Sequence, residues 1–336
     1  MYTLRFIVLL HFFNPFSVKA QVTRAFSELL SEPFDVASEA DSSYYDIYRI
    51  SSSEIWFGGE SGVLKRMDGN GKITSISYPN KGVNLLKVIR IKNFVYIAAD
   101  EGIIYRHDLS DGSWKVKFFE EFRNQCFYDI CEGANDRVIV CGGATRIAHG
   151  LKVIPNGFIA SVDGELTESP VVSWRSVRKF PWALLKTPEG TVIVSIFNGV
   201  STRLYTSSDA VSYSNWQPEH KIPGLVHSLN SFNGTVYYSG CKSIRYKKNG
   251  TWGYLADKRV HREVTASGLI CNLVSSGNQL YGFTQRGLLL RLLPETAVPV
   301  YQATNGIAYY EGLISGNNSV YLVGHGKEIR EIKLVD

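Results

Sequence analysis

Short apolar runs recur along the whole chain, each closed by a polar turn. Residues 45–50 precede 55–58, residues 85–91 precede 94–98, and residues 127–131 precede 138–141. Runs of this length bounded by turn residues predict strands rather than helices. Asn-Gly or Asp-Gly pairs begin at Asp68, Asn70, Asp111, Asn156, Asp163, Asn198, Asn233, Asn249 and Asn305. Such pairs supply the positive φ that tight hairpins need. Their spread over the chain argues for one all-β domain. No stretch holds a long helical period, and residues 23–30 are the longest candidate.

One strand pattern repeats. Trp56-Phe57-Gly58-Gly59-Glu60-Ser61-Gly62 aligns without a gap on Tyr96-Ile97-Ala98-Ala99-Asp100-Glu101-Gly102. Gly stands six residues after the first position, Arg ten after (Arg66, Arg106) and Asp twelve after (Asp68, Asp108). Further copies start at Val140, Ile193, Tyr237, Tyr281 and Tyr321, so successive spacings are 40, 44, 53, 44, 44 and 40. A period of about 45 residues is the length of a four-stranded propeller blade. The expected fold is an all-β, seven-bladed β-propeller with four antiparallel strands per blade. The last copy, 310–336, has room for about three strands of ordinary length. Either residues 22–26 supply the missing outer strand, which is the preferred closure, or residues 23–30 form a short helix capping the disc.

Composition agrees with this architecture. Of 336 residues, 44% are hydrophobic and 20% charged, so the chain can bury a sizeable core and disorder is excluded. Only 2 Met accompany 30 Gly and a 12% aromatic content, which favours strands and turns. A net charge of +5 is too weak and too scattered to indicate nucleic acid. Residues 1–20 read as a signal peptide. Arg5 is followed by a short apolar run, then Asn14-Pro15, then Val18-Lys19-Ala20 with a small residue at the cut. The expected domains are therefore a leader, 1–20, and one propeller, 21–336. The apolar run is too short to span a bilayer, so the protein is expected to be secreted or periplasmic, without a membrane span. The five cysteines, Cys126, Cys131, Cys141, Cys241 and Cys271, show no metal-ligand spacing. Buried free thiols are the plain reading, and a Cys126–Cys141 disulfide across a hairpin is the sharper one.

The stretch Ile55-Trp56-Phe57-Gly58-Gly59, continuing as Gly62-Val63-Leu64-Lys65-Arg66-Met67-Asp68, resembles the repeat of two-component-regulator propellers. These form exported sensor portions of some bacterial histidine kinases. The resemblance is good over the first two blades and partial over the rest. It implies a seven-bladed propeller with a sensing role. This chain carries no kinase, so any output would pass to a separate partner. Ser207-Ser208-Asp209 with Trp216 is a poorer match to Asp-box propellers, which include sialidases. Tyr48-Arg49-Ile50-Ser51 is similar to a sialidase opening but lacks its Pro, and no Arg triad or nucleophile pair can be assembled. Tyr310-Glu311 is adjacent in sequence, and adjacent strand residues should face opposite ways.

Each remaining motif has a structural explanation. The repeated Arg can reach the next blade, and the repeated Gly suits a turn. His261-Arg262-Glu263 falls in a polar stretch between blades. Asn233, Asn249 and Asn317 open glycosylation-type triplets, which turn chemistry explains for the first two. There is no Gly-x-Ser-x-Gly, no His-Glu-x-x-His and no phosphate loop. No cofactor or metal is expected.

Propeller ligands sit over the central channel, on the face built by interblade loops and by loops joining second to third strands. The candidate ligand-binding residues there are Tyr45, Glu60, Asp100, Arg146, Trp182, Asn198, His227, Arg286 and His325, with Glu101, His149, Lys242 and Gln285 beside them. Mixed charges with aromatics between them suit a polar small molecule, a glycan or a peptide. Asp100 and Arg286 are expected to be replaceable without loss of stability. The reading is a monomeric, exported binding, sensing or assembly module that takes such a ligand or a protein partner. A sialidase-like glycan hydrolase or lyase and a purely structural scaffold are the alternatives.

Overall fold

The structure is a computed structural model. It describes residues 43–144, 156–240, 243–248, 250–255, 270–276, 279–284, 287–293, 297–302, 309–315, 319–327 and 329–334. The leader, the closing segment 22–26 and the His261–Glu263 stretch lie outside these residues. The described chain forms seven separate antiparallel sheets in chain order, each a simple meander. Six have four strands, and the seventh has three among the described residues. The only helical turns among the described residues are single 3-10 turns. The expected seven-bladed propeller is what forms.

The inner strands of blades 1 to 7 are Tyr44–Ser51, Leu85–Ile91, Gln125–Glu132, Phe180–Lys186, Val226–Phe232, Ile270–Ser276 and Tyr309–Ser315. Each neighbours the next around the ring, and the seventh meets the first. Every repeat anchor found in the sequence lies in the second strand of its blade, from Trp56 in Glu54–Gly59 to Tyr321 in Ser319–Gly324. These strands are buried on both faces, because a blade lies against each side. Val192–Phe197 is buried at all of its positions, which is why it reads as a continuous apolar run rather than an alternation.

Packing is organised between blades. Ile50, Trp56, Val88 and Tyr105 join blades 1 and 2. Phe122, Phe127, Phe158 and Tyr96 join blades 2 and 3. The ring closes through Tyr44, Ile47, Ile55, Phe57 and Met67 of blade 1 against Val323 of blade 7. Closure is also polar: the Arg49 guanidinium donates to the Ile314 carbonyl at 2.9 Å. The repeated Gly after the second strand sits at positive φ, +76 at Gly62 and +70 at Gly102, as turn geometry requires. The long spacing after Val140 falls between the second strand of blade 3, ending at Ala144, and its third, starting at Gly157.

The repeated basic residue has no single partner. Arg106 pairs with Glu165 of blade 3 at 2.5 Å. Arg66 stays in its own blade, near Glu54 at 3.8 Å. Lys247 reaches Glu219 of the preceding blade. The Cys126–Cys141 disulfide does not form: Cys126, Cys131 and Cys141 are free, buried thiols.

All seven inner strands share one irregularity. In each, pairing with the second strand skips a residue: Tyr45, Leu86, Tyr128, Trp182, His227, Cys271 and Tyr310 in turn. The extra residue is a β-bulge, which bends the strand and re-aims its side chains. The bulge presses the inner backbone onto its partner. A Cβ added to Gly142 would lie 1.9 Å from the Cys126 carbonyl oxygen. Gly142→Ala should therefore lower stability by about 1–3 kcal/mol, read as a lower urea midpoint. An unchanged midpoint would show that the bulge has room to relax.

Candidate functional site

The bulges build the central channel in two tiers. The upper tier is the bulge residues themselves. Tyr45, Leu86, Tyr128, Trp182, His227 and Tyr310 line one cavity of about 1130 Å³. Their rings touch across blade boundaries. Tyr45 and Tyr310 lie 6.1 Å apart, Tyr128 stacks on Trp182 at 5.1 Å, and Trp182 meets His227 edge-on at 6.2 Å. The result is an aromatic collar.

The lower tier is the next residue in each inner strand: Asp46, Lys87, Asp129, Ala183, Ser228, Asn272 and Glu311. This polar waist ties blades together. Lys87 Nζ donates to Asp46 Oδ1 at 2.8 Å and to Glu311 Oε2 at 2.9 Å, so one ammonium links blades 1, 2 and 7. Asn272 donates to Glu311, and Ser228 donates to Asn272. An inner strand has a sheet partner on one side only, so N–H groups on its other side need acceptors. The waist supplies them. Asp46 accepts from the Val88 N–H at 2.6 Å, Asp129 from the Leu184 N–H at 2.7 Å, and Ser228 from the Leu273 N–H at 3.3 Å.

Burial governs the ionisation here. It pushes Asp129 up to about 6, against the pull of Lys87 and the N–H donors of Leu184 and Ile130. It raises Asp46 as well; Lys87 opposes the rise and Glu311 adds to it. For Lys87, burial works against the charge, but Asp46, Glu311 and Asp129 outweigh it and hold the amine well above its usual range. Burial pushes His227 down to about 4, so its ring is neutral. Two residues lining the cavity hold a buried side-chain atom without a hydrogen-bond partner, His227 Nε2 and Asn230 Oδ1.

Three of the nine sequence candidates, Tyr45, Trp182 and His227, meet in the collar. Four others stand at the first position after a second strand, in the loops around it. Glu60 accepts from the Ser43 N–H at 3.1 Å. Asp100 accepts from the Cys126 thiol at 2.9 Å, and its own N–H donates to the Asn84 carbonyl at 3.1 Å. Asn198 accepts from the Ser201 N–H at 2.8 Å in an Asx turn. His325 meets the Ser43 hydroxyl at 3.3 Å. These contacts tether loops. The expectation that Asp100 is a freely replaceable charge is corrected by its burial: it is only 9% exposed, and burial pushes it up to about 6. Arg146 and Arg286 lie outside the described residues, as do His149, Lys242 and Gln285.

The sequence reading missed Tyr128, Tyr310 and the whole waist. It also placed Tyr310 and Glu311 on opposite faces, whereas both line the channel. The bulge breaks the two-residue alternation that the argument used. Among the described residues, no group of three His, Cys, Asp or Glu side chains could hold a metal ion. No described helix is long and apolar enough to cross a membrane.

No known family model matches the sequence, and no curated protein does. Solved structures match the fold. A catalytically inactive virginiamycin B lyase from Staphylococcus aureus, with quinupristin, superposes with a TM-score of 0.65 at 11% identity, covering 89% of this chain and 97% of that one. YCF48 bound to D1 peptide gives 0.64 at 14%, covering 90% and 94%. The extracellular domain of a putative hybrid two-component system from B. thetaiotaomicron gives 0.60 at 13%, covering 88% of this chain and 38% of that one. At such identities the likeness defines a class, the β-propellers, and nothing narrower.

Two outcomes follow, one for the waist and one for the collar. Lys87→Met leaves Asp46 and Glu311 without their shared cation. It should cost about 3 kcal/mol near neutral pH, and less in mild acid, where the carboxylates can take up protons. Equal urea midpoints for variant and parent would contradict this. His227 has a folded pKa below its unfolded value near 6.5. Its stabilising contribution is full above that value and is lost as pH falls towards 4. His227→Phe should therefore lose less stability than the parent on acidification, by roughly 2–3 kcal/mol. Parallel acid profiles would refute a buried neutral imidazole.

Proposed function

We propose that the chain is an exported, non-catalytic propeller that binds a polar ligand end-on in its channel mouth. One observation carries this reading: an aromatic collar stands directly above a polar waist, and two residues lining the same cavity, His227 and Asn230, each hold a buried acceptor without a partner. Buried polar atoms are nearly always satisfied, so unsatisfied ones inside a concave site call for a ligand or water. The leader-like residues 1–20 support export. The peptide-bound YCF48 propeller lends support to a peptide as ligand.

The alternatives have less support. A glycan hydrolase would need a carboxyl group free to carry protons at the open face. Such enzymes use a pair of carboxyl groups, but Asp46 is 1% exposed with both oxygens engaged and both oxygens of Glu311 are engaged as well, which leaves Asp129 alone in the waist. A bare scaffold would show a broad apolar patch, yet the exposed large apolar side chains, such as Ile73, Phe118, Val200 and Val298, are spread over separate blades.

The test is binding to glycan and peptide arrays. Trp182→Ala should weaken the ligands retained by the parent by tenfold or more, since stacking on an aromatic side chain is worth about 1–3 kcal/mol. Glu189→Ala, in a turn on the opposite face, should bind like the parent. Ligands that survive loss of Trp182 would move the site elsewhere.

A further inference from the structure

The channel is asymmetric in charge and in shape. Among the described residues, the waist holds three carboxylates, Asp46, Asp129 and Glu311, against one ammonium, Lys87. Lys87 is already engaged by Asp46 and Glu311. Asp129 has no ion-pair partner among the described residues. Its oxygens accept only from the backbone N–H groups of Leu184 and Ile130. Each carboxylate oxygen has a second lone pair, so Asp129 can accept further hydrogen bonds from the cavity it lines.

The space beside Asp129 is open. The next waist position is Ala183, where five of the other six positions carry a polar or charged side chain longer than a hydroxymethyl group. Above Asp129 and Ala183 stand Tyr128 and Trp182, stacked, with His227 edge-on to Trp182. His227 and Asn230 line the same cavity, and their Nε2 and Oδ1 atoms lack partners. The neutral imidazole can present Nε2 as an acceptor, and an amide oxygen only accepts. The Asp129 carboxylate thus stands beneath Tyr128 and Trp182, and the acceptors of His227 and Asn230 belong to the same cavity wall, all of them suited to N–H donors. Aromatic faces also attract cations.

Resting on the binding reading above, we propose that the ligand is anchored by an ammonium or guanidinium group lodged beneath Tyr128 and Trp182, against Asp129. Anions are disfavoured by the carboxylate excess. A neutral sugar would do nothing to offset the excess of carboxylates over the one ammonium. Either a lysine or arginine side chain of a peptide, or a free polyamine, could bring such a group.

Isothermal titration calorimetry on the full chain separates these outcomes. The probes are the blocked tripeptide Gly-Lys-Gly, the same peptide with an acetylated lysine amine, and cadaverine. The lysine peptide should bind, and acetylation should weaken it at least tenfold. That comparison needs no variant. Asp129→Asn, which keeps the shape and one acceptor oxygen but removes the charge, should weaken the lysine peptide at least tenfold, and Ala183→Leu, which fills the space, should abolish binding. Cadaverine matching the peptide would point to a free amine as the source, and a tighter peptide to a protein or peptide source; both support a cation site. Absence of heat from every cation up to millimolar concentration would overturn the proposal. So would equal binding of the acetylated peptide. If neutral ligands bind and depend on Trp182, the collar reading stands and the cation inference falls. If no ligand depends on Trp182, both fall.

Discussion

The extra residue in each inner strand is the constraint on which this channel depends. A regular strand alternates its side chains, so only every second residue could face the channel. The bulge lets two successive residues do so, as with Leu86-Lys87, Tyr128-Asp129, Trp182-Ala183, His227-Ser228 and Tyr310-Glu311. Seven bulges at one level turn that local defect into two stacked rings, an aromatic collar over a polar waist. The small residues opposite follow from the same cause, because Gly59 and Gly142 have no room for a Cβ beside the bulged backbone.

The waist then couples function to stability. A ring of blades must hold its last sheet to its first, and Lys87 crosses that seam by joining Asp46 to Glu311. Buried ion pairs of this kind give little net stability, yet breaking one is costly. Tyr44, Phe57 and Val323 pack the seam with apolar contact, while the ion pairs fix which atoms face the channel. Asp129 sits three positions round the waist from Glu311, outside those ion pairs, so its carboxylate is held by backbone N–H groups and not by a salt bridge.

Much of the fold was legible in the chain. The second strands are buried on both faces, and this produced the apolar runs and the Gly pattern that set blade number and period. Turn residues such as Asn233, with φ of +49, and Gly234, with φ of +70, did what their chemistry suggests. The site was legible only in part. Tyr45, Trp182 and His227 were visible as aromatics near predicted loops. Glu60, Asp100, Asn198 and His325 drew attention as loop charges and polar groups, but their partners are neighbouring loop atoms. Tyr128, Tyr310 and the waist escaped because hairpin length varies: the bulge lies ten to twelve residues before each anchor. Aligning on the anchors blurs a large residue followed by a polar one, as in Tyr45-Asp46, Tyr128-Asp129 and Tyr310-Glu311. Aligning the inner strands on themselves would have brought that pair out.

The most direct check of the collar is fluorine NMR on protein labelled with 5-fluorotryptophan, with the Trp182 signal assigned through Trp182→Phe. Titration with the lysine tripeptide should shift the Trp182 resonance and leave that of Trp56, buried between blades 1 and 2, in place. A ligand that moves other tryptophans while Trp182 stays unperturbed would contradict a binding site in the channel mouth.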